Sequence, residues 1–237
     1  MHMTRRPVWL FDLDNTLHDA SHAVFGMLDA SMNGYIAREL GLTLDEADRL
    51  RHGYWRRYGA TLLGLERHHG IRAAHFLEHT HRWPDLEQRL RSDARDRAAL
   101  RALPGRKFVL TNAPAQYTKR VLTALGLAGL FEGVVSIEAM RHFGHLRPKP
   151  DARMFRVVLA RLKLRAPRCV LVEDSLAHQR AAHAVGLRSV WMQRYLWRNA
   201  HGPEVGARLR RRPAYVRARI GSLQKLRGLL GPPRENA

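Results

Sequence analysis

Two carboxylates stand two residues apart directly after a short apolar run: Val8-Trp9-Leu10-Phe11 leads into Asp12-Leu13-Asp14-Asn15-Thr16-Leu17. The run has the length and content of a fully buried strand. A strand ending there leaves both acids at its carboxyl edge, where open α/β sheets bind ligands. One carboxylate can then act as a nucleophile and its neighbour as a general acid and base. The same residues would also suit a solvated turn capped by Asp and Asn, so the other strand ends decide between the readings. Thr111 closes the run KFVLT, with Asn112 and Ala113 behind it and Pro114 opening a helix. Its hydroxyl and the amides near that helix start suit an anionic oxygen. Lys149 is set between Pro148 and Pro150, which restrict the backbone around it. Glu173 and Asp174 follow the run CVLV.

The elements that must position these residues follow from periodicity. Val24, Met27, Leu28, Met32, Tyr35, Ile36 and Leu40 keep a 3.6-residue period that stops at Gly41. Thr43 with Glu46 forms a capping-box signature for a second helix, and shorter helices are expected up to Arg95. From Lys107 the pattern changes to alternating strands and helices. Strands are expected at 107–112, 133–138, 168–173 and 188–192, with helices at 114–125, 151–164 and 176–185. A last short strand is expected at 214–216, before a helix running to Leu230. Alternation of this kind predicts an α/β fold, a doubly wound parallel sheet with an inserted helical cap. The expected division places residues 1–17 and 97–237 in the core and 18–96 in the cap.

The set strand-D-x-D-N-T-L, Thr111, Lys149 and Glu173-Asp174 resembles the haloacid dehalogenase-like (HAD) hydrolases over roughly residues 7–230. The resemblance implies a Rossmann-like core and a phosphatase acting through an aspartyl phosphate. Asp12 would attack phosphorus, while Asp14 would protonate the leaving oxygen and then deprotonate water. The family's dehalogenases lack the second acid, because halide leaves without a proton. Thr111 and Lys149 would hold the phosphoryl group, with Asn112 and Ala113 beside it. Asp12, Asp174, Glu173 and the backbone carbonyl of Asp14 would surround Mg2+, which prefers sparse oxygen ligation. His178 departs from the Asn or Asp of many relatives and bears on metal affinity.

A narrower likeness lies in Tyr58-Gly59-x-Thr61-Leu62-x-Gly64-Leu65, in His69-Gly70-Ile71 and in Arg120-Val121-Leu122-x-Ala124-Leu125-Gly126-Leu127. These resemble the pyrimidine 5′-nucleotidase-like branch, so UMP or CMP is the expected substrate. Phosphoglycolate or a sugar phosphate is the alternative. Tyr58 and His18 are the expected cap-side contacts, His18 replacing a tyrosine common in that branch.

Composition narrows the classes. The 41 basic residues against 21 acidic ones give a formal charge of +20, and nearly all the cations are arginines spread over most predicted helices. That spread reads as surface arginine rather than a nucleic-acid face, though a basic field attracts anionic substrates. The basic tail from Arg198 admits a second reading as an RNA-binding arm of a non-catalytic HAD-like protein. Leucines 223, 226, 229 and 230 at helical spacing favour a packed helix. A single cysteine, Cys169, excludes an internal disulfide, and no run of eighteen apolar residues marks a membrane span. A cytoplasmic enzyme acting on a small phosphorylated metabolite is therefore expected. The paired histidines 68–69 and 79/81 lack the four-residue spacing of a helical metal site.

Overall fold

Val8–Phe11 forms β1, and its two faces explain why the run is apolar throughout. Trp9 and Phe11 enter one hydrophobic core, Val8 and Leu10 the other. The computed structural model describes residues 6–199 and 203–230. Beside β1 lie β2 (Arg106–Leu110) and β3 (Gly133–Val135) on one side. On the other side the small hairpin strands β4 (Arg141–His142) and β5 (His145–Leu146) intervene in sequence before β6 (Cys169–Glu173), β7 (Arg188–Met192) and β8 (Ala218–Ile220). The main sheet runs β3-β2-β1-β6-β7-β8, with every pair parallel. Val8 stands opposite both Arg106 and Cys169, so β1 is central.

Between β1 and β2 the chain is helical. The elements are α1 (Ala20–Ala23), α2 (Phe25–Leu40), α3 (Leu44–Tyr58), α4 (Thr61–His69), α5 (Ala73–Thr80), α6 (Leu86–Arg89) and α7 (Ala94–Ala102). The Thr43/Glu46 capping box forms with both reciprocal hydrogen bonds. Gly59 ends α3 at φ +82°, and a Cβ there would lie 3.0 Å from Pro150, so the roof meets the lysine loop at a residue without a side chain. After β2 come α8 (Ala115–Ala124), α9 (Ala152–Arg161), α10 (Leu176–His183), α11 (Arg194–Arg198) and α12 (Pro203–Arg210). One core joins α8 and α7 with the C-terminal segment, and the other joins α9 with the roof helices α2, α4 and α5. Helices therefore cover both sheet faces, as expected for a doubly wound sheet.

Several boundaries differ from the sequence expectation. Residues 214–216 are not a strand: Val216 N–H donates to Pro213 O and closes a turn, and the edge strand starts at Ala218. Leu223–Leu230 is a 3-10 helix rather than an α-helix, because leucines at 223, 226 and 229 fall three apart on one side. The side chain of Leu230 lies outside the described residues. The strand expected at 133–138 stops at Val135, after which Ile137 N–H turns back to Ala113 O. The hairpin and α12 were not anticipated.

Candidate active site

Because the strands are parallel, their carboxyl ends share one edge. Asp12 follows β1 with its N–H on Val172 O, Thr111 follows β2 with its N–H on Val135 O, and Asp174 follows β6. Lys149 arrives from the loop after the β4–β5 hairpin. Its Nζ lies 2.5 Å from Asp12 Oδ1 and 2.8 Å from Glu173 Oε2, and the residue is wholly buried. Asn112 fixes this lysine from below: its side-chain amide donates to Lys149 O and accepts from Lys149 N–H, both at 2.9 Å. Thr111 Oγ1 accepts the Ala113 N–H at 3.0 Å, and the residue lines the cavity, where its hydroxyl can donate to an anionic oxygen. Asn112 and Ala113 line the same cavity.

Asp12, Glu173 and Asp174 each offer an oxygen within 4.8 Å of the others. Asp12 and Glu173 thus bond the one ammonium, with the Asp174 carboxylate beside them. Burial and the charge of Glu173 push Asp12 up to about 8. Asp174 is raised well above the usual range by burial and by Glu173. Glu173 is buried too, yet Lys149 and His178 outweigh that burial and keep it ionised. The site is short of positive charge and its donors are all oxygens, which fits a hard divalent cation such as Mg2+. Glu173 Oε1 accepts the Ser175 N–H, so this residue braces the β6 end as well as facing the lysine. His178 Nδ1 lies 3.1 Å from Glu173 Oε2, on the rim of the cavity.

Asp14 turns the other way. Its Oδ1 accepts from Tyr117 Oη at 2.8 Å and contacts His18 Nε2 at 2.9 Å. Burial would raise its pKa, but these bonds and the His18 charge hold it below the usual carboxylate range. Above the acids a cavity of about 520 Å³ is roofed by α2 to α5, with Phe25, Leu28 and Met32 on one wall and Arg51, His52 and Trp55 on another. Arg51 is held by Asp29, Asn33 and Asp48, whereas the Trp55 ring is 59% exposed.

Two expected cap contacts change place. His18 is not at the cavity entrance: it is 2% exposed beneath Asp14, drawn there by that carboxylate. Tyr58 does not line the cavity, since its hydroxyl joins α3 to α4 through His68 Nε2 at 2.6 Å. Gly59, Thr61 and Leu62 of that motif line the cavity, while Gly64 packs against the Tyr54 ring and Leu65 is buried. Trp55, His81 and Tyr117 were missed. Trp55 stood three residues before the start of the quoted motif, and its size at an exposed helix position was the available signal. Tyr117 lies 103 residues from Asp14, and no spacing announces that contact.

Parallel strands that deliver acids, a lysine and a hydroxyl to a helix-roofed cavity make a Rossmann-type hydrolase architecture. The chain belongs to the haloacid dehalogenase-like hydrolases, whose family pattern matches residues 8–186. It is 27% identical over 197 residues to phosphate metabolism protein 8 of Saccharomyces cerevisiae, covering 78% of this chain and 61% of that protein. The chain thus spans about three fifths of the yeast protein's length. It is 26% identical over 206 residues to a phosphoglycolate phosphatase of Colwellia psychrerythraea, covering 80% and 85% respectively. Its fold matches the crystal structure of a HAD phosphatase from Thermococcus onnurineus with a TM-score of 0.61 at 22% identity, covering 95% and 98%.

Proposed function

We propose that this chain is a Mg2+-dependent phosphatase that hydrolyses a small phosphate monoester through an aspartyl phosphate on Asp12. The observation behind it is the meeting of Asp12, Asp14, Thr111, Lys149 and Asp174 around one cavity. Asp12 supplies the attacking oxygen. Lys149, held by Asn112 and Glu173, orients that carboxylate and neutralises the incoming phosphoryl group. Thr111 donates to a phosphoryl oxygen. Asp14 moves the proton, first to the leaving oxygen and then from water. Asp12, Asp174 and Glu173 would hold the Mg2+, with the backbone carbonyl of Asp14 as a further ligand. The cation supplies positive charge that keeps the acids ionised and withdraws charge from the phosphoryl oxygens. The second acid, Asp14, favours phosphate over halide as the leaving chemistry.

The preferred substrate in this reading is a pyrimidine nucleoside 5′-monophosphate. The branch-like motif builds the roof, and the exposed Trp55 offers a flat face on which a base stacks. The Colwellia relative's name favours phosphoglycolate instead. A core of residues 1–17 and 97–237 with a cap of 18–96 remains the proposed division. Residues of the expected cap depart from it at both ends: Ala20, Val24, Trp83 and Leu86 share a core with Phe11. The cap proper is then better drawn from α2 to α5. Helices α2 to α5 cover the site, and among the described residues no helix is long and apolar enough to cross a membrane. The single buried cysteine suits a reducing cytoplasm. Phosphate release from UMP, CMP, AMP, GMP and phosphoglycolate, with Mg2+ or with chelator, tests the proposal. Hydrolysis of UMP and CMP ahead of the others is expected. A preference for phosphoglycolate removes the nucleotidase reading, and turnover undiminished by chelator removes the metal.

A further inference from the structure

We infer that His18 and Tyr117 are the positioning residues of the proton shuttle, clamping one oxygen of Asp14 so that the other carries the proton. This rests on reading Asp14 as the general acid and base of a phosphatase. The three side chains form a closed triangle: Tyr117 Oη to Asp14 Oδ1 at 2.8 Å, His18 Nε2 to the same oxygen at 2.9 Å, and Nε2 to Oη at 3.4 Å. Both partners are 2% exposed, while Asp14 lines the cavity. Oδ2 makes no hydrogen bond with the described residues. Bonds to an ionised carboxylate are shorter and stronger than neutral ones. With both on Oδ1, rotation of the carboxyl group breaks two of them at once.

The elements fix the clamp from two directions. His18 follows Asp14 by one helical turn in the loop before α1. Tyr117 projects from α8, and its ring is braced edge-on by Trp83, with centroids 6.0 Å apart at 87°. Trp83 is in turn held by Ser31 of the roof through its Nε1–H at 3.0 Å. A second observation argues that the His18 contact is functional. Its Nδ1 is buried with no partner among the described residues. Leaving a polar atom so is unfavourable, a penalty that an apolar residue packed in the same place would avoid.

The step this positions is balanced. In the first half, an Asp12 oxygen bonds to phosphorus, the ester P–O bond breaks, and the proton on Asp14 Oδ2 passes to the leaving oxygen, which departs as an alcohol. In the second half, a water oxygen bonds to phosphorus, the Asp12–phosphorus bond breaks, and the water's proton returns to Oδ2.

The test compares Tyr117→Phe and His18→Leu with wild type on an alkyl phosphate such as glycerol 3-phosphate and on p-nitrophenyl phosphate. For the alkyl ester, kcat/KM should fall about ten- to hundred-fold, a part of what a general acid contributes. For the nitrophenyl ester it should change less than about three-fold, because that group leaves without a proton. Its kcat should still fall, since the second half needs the base, and a burst of nitrophenolate equal to the enzyme should appear. His18→Gln, which keeps a donor, should recover part of the alkyl activity. Equal losses on both esters with no burst would overturn the clamp and leave these residues as packing alone. If Tyr117→Phe melts well below wild type, the two His18 variants make the same comparison. Wild-type protein inert toward every ester would instead overturn the phosphatase reading itself.

Discussion

Replacing Lys149 by Met should separate the charge account of this site from a simple packing account. Met nearly matches the volume of the lysine stem but removes the one ammonium among Asp12, Glu173 and Asp174. The residue is 0% exposed, and its bonds of 2.5 and 2.8 Å lie in a medium with little water. Removing one partner from a buried ion pair costs about 3–5 kcal/mol, because the remaining charge is left without compensation. For a chain of this size each kcal/mol moves the melting temperature by about 2–4 °C, so a drop of about 6–20 °C is expected in chelator at pH 7.5. The deficit should shrink toward pH 4.5, where the orphaned carboxylates take up protons. Added Mg2+ should stabilise the variant more than the wild type, since both cations answer the same charge. Combining it with Glu173→Gln should cost less than the sum of the two single changes. The assay is thermal unfolding followed by circular dichroism, with and without MgCl2. A variant that melts within about 2 °C of wild type in chelator, with the same response to Mg2+, would refute the charge account.

Other outcomes follow from single contacts. Asp12→Asn should abolish phosphate release yet melt no lower than wild type in chelator, because burial and Glu173 already disfavour the ionised acid; a strongly destabilised variant contradicts that. Burial holds His81 down to about 4 against 6.5 for a free imidazole, so the unfolded chain gains a proton first as pH falls. Native stability should drop by about 2 kcal/mol between pH 7.5 and 5, and His81→Gln should flatten that slope in urea titrations. Cys169 is fully buried and its thiol is pushed up to about 11 by burial, so a thiol reagent at pH 8 should label it only after denaturation. Leu226→Ala should cost about 2–5 kcal/mol in the same titrations. Arg212→Ser should also destabilise, since its guanidinium braces the 213–217 turn through Val216 O and Arg217 O.

The parts of this fold that were legible in the sequence are those whose burial is two-sided. VWLF is apolar at every position, and CVLVE and RSVWM carry the apolar stretches CVLV and VWM, because both faces meet a core, and such runs stand out without any partner being known. The edge strand 218–220 lacks that signature: Arg219 is exposed and only Ile220 is fully buried. The hairpin strands are two residues long, and the only hint was Phe143-Gly144, both at positive φ in the turn. Acids at strand ends were readable because parallel strands bring their carboxyl ends together whatever lies between them. Lys149 was readable from its prolines. Tyr117 and Trp83 were not: Tyr117 sits inside a helical pattern and Trp83 in the turn between α5 and α6, and a packing role explains each equally well. His18 was seen, but its direction depended on where α8 would lie.

The central position of β1 also bears on how the protein is made. Val8 must pair with Cys169 as well as with Arg106, so the middle of the sheet joins segments far apart in the chain. During synthesis at roughly 5–20 residues per second, β1 waits on the order of ten seconds for β6 to leave the ribosome. Until then the helices from α2 to α5 can assemble locally, while the VWLF run keeps an open edge that other chains could join. Lys149 and Asp174 arrive only near the end of that interval. The residue proposed to attack phosphorus is therefore translated long before the groups that would make it reactive, and a nascent chain holds Asp12 as an ordinary surface acid.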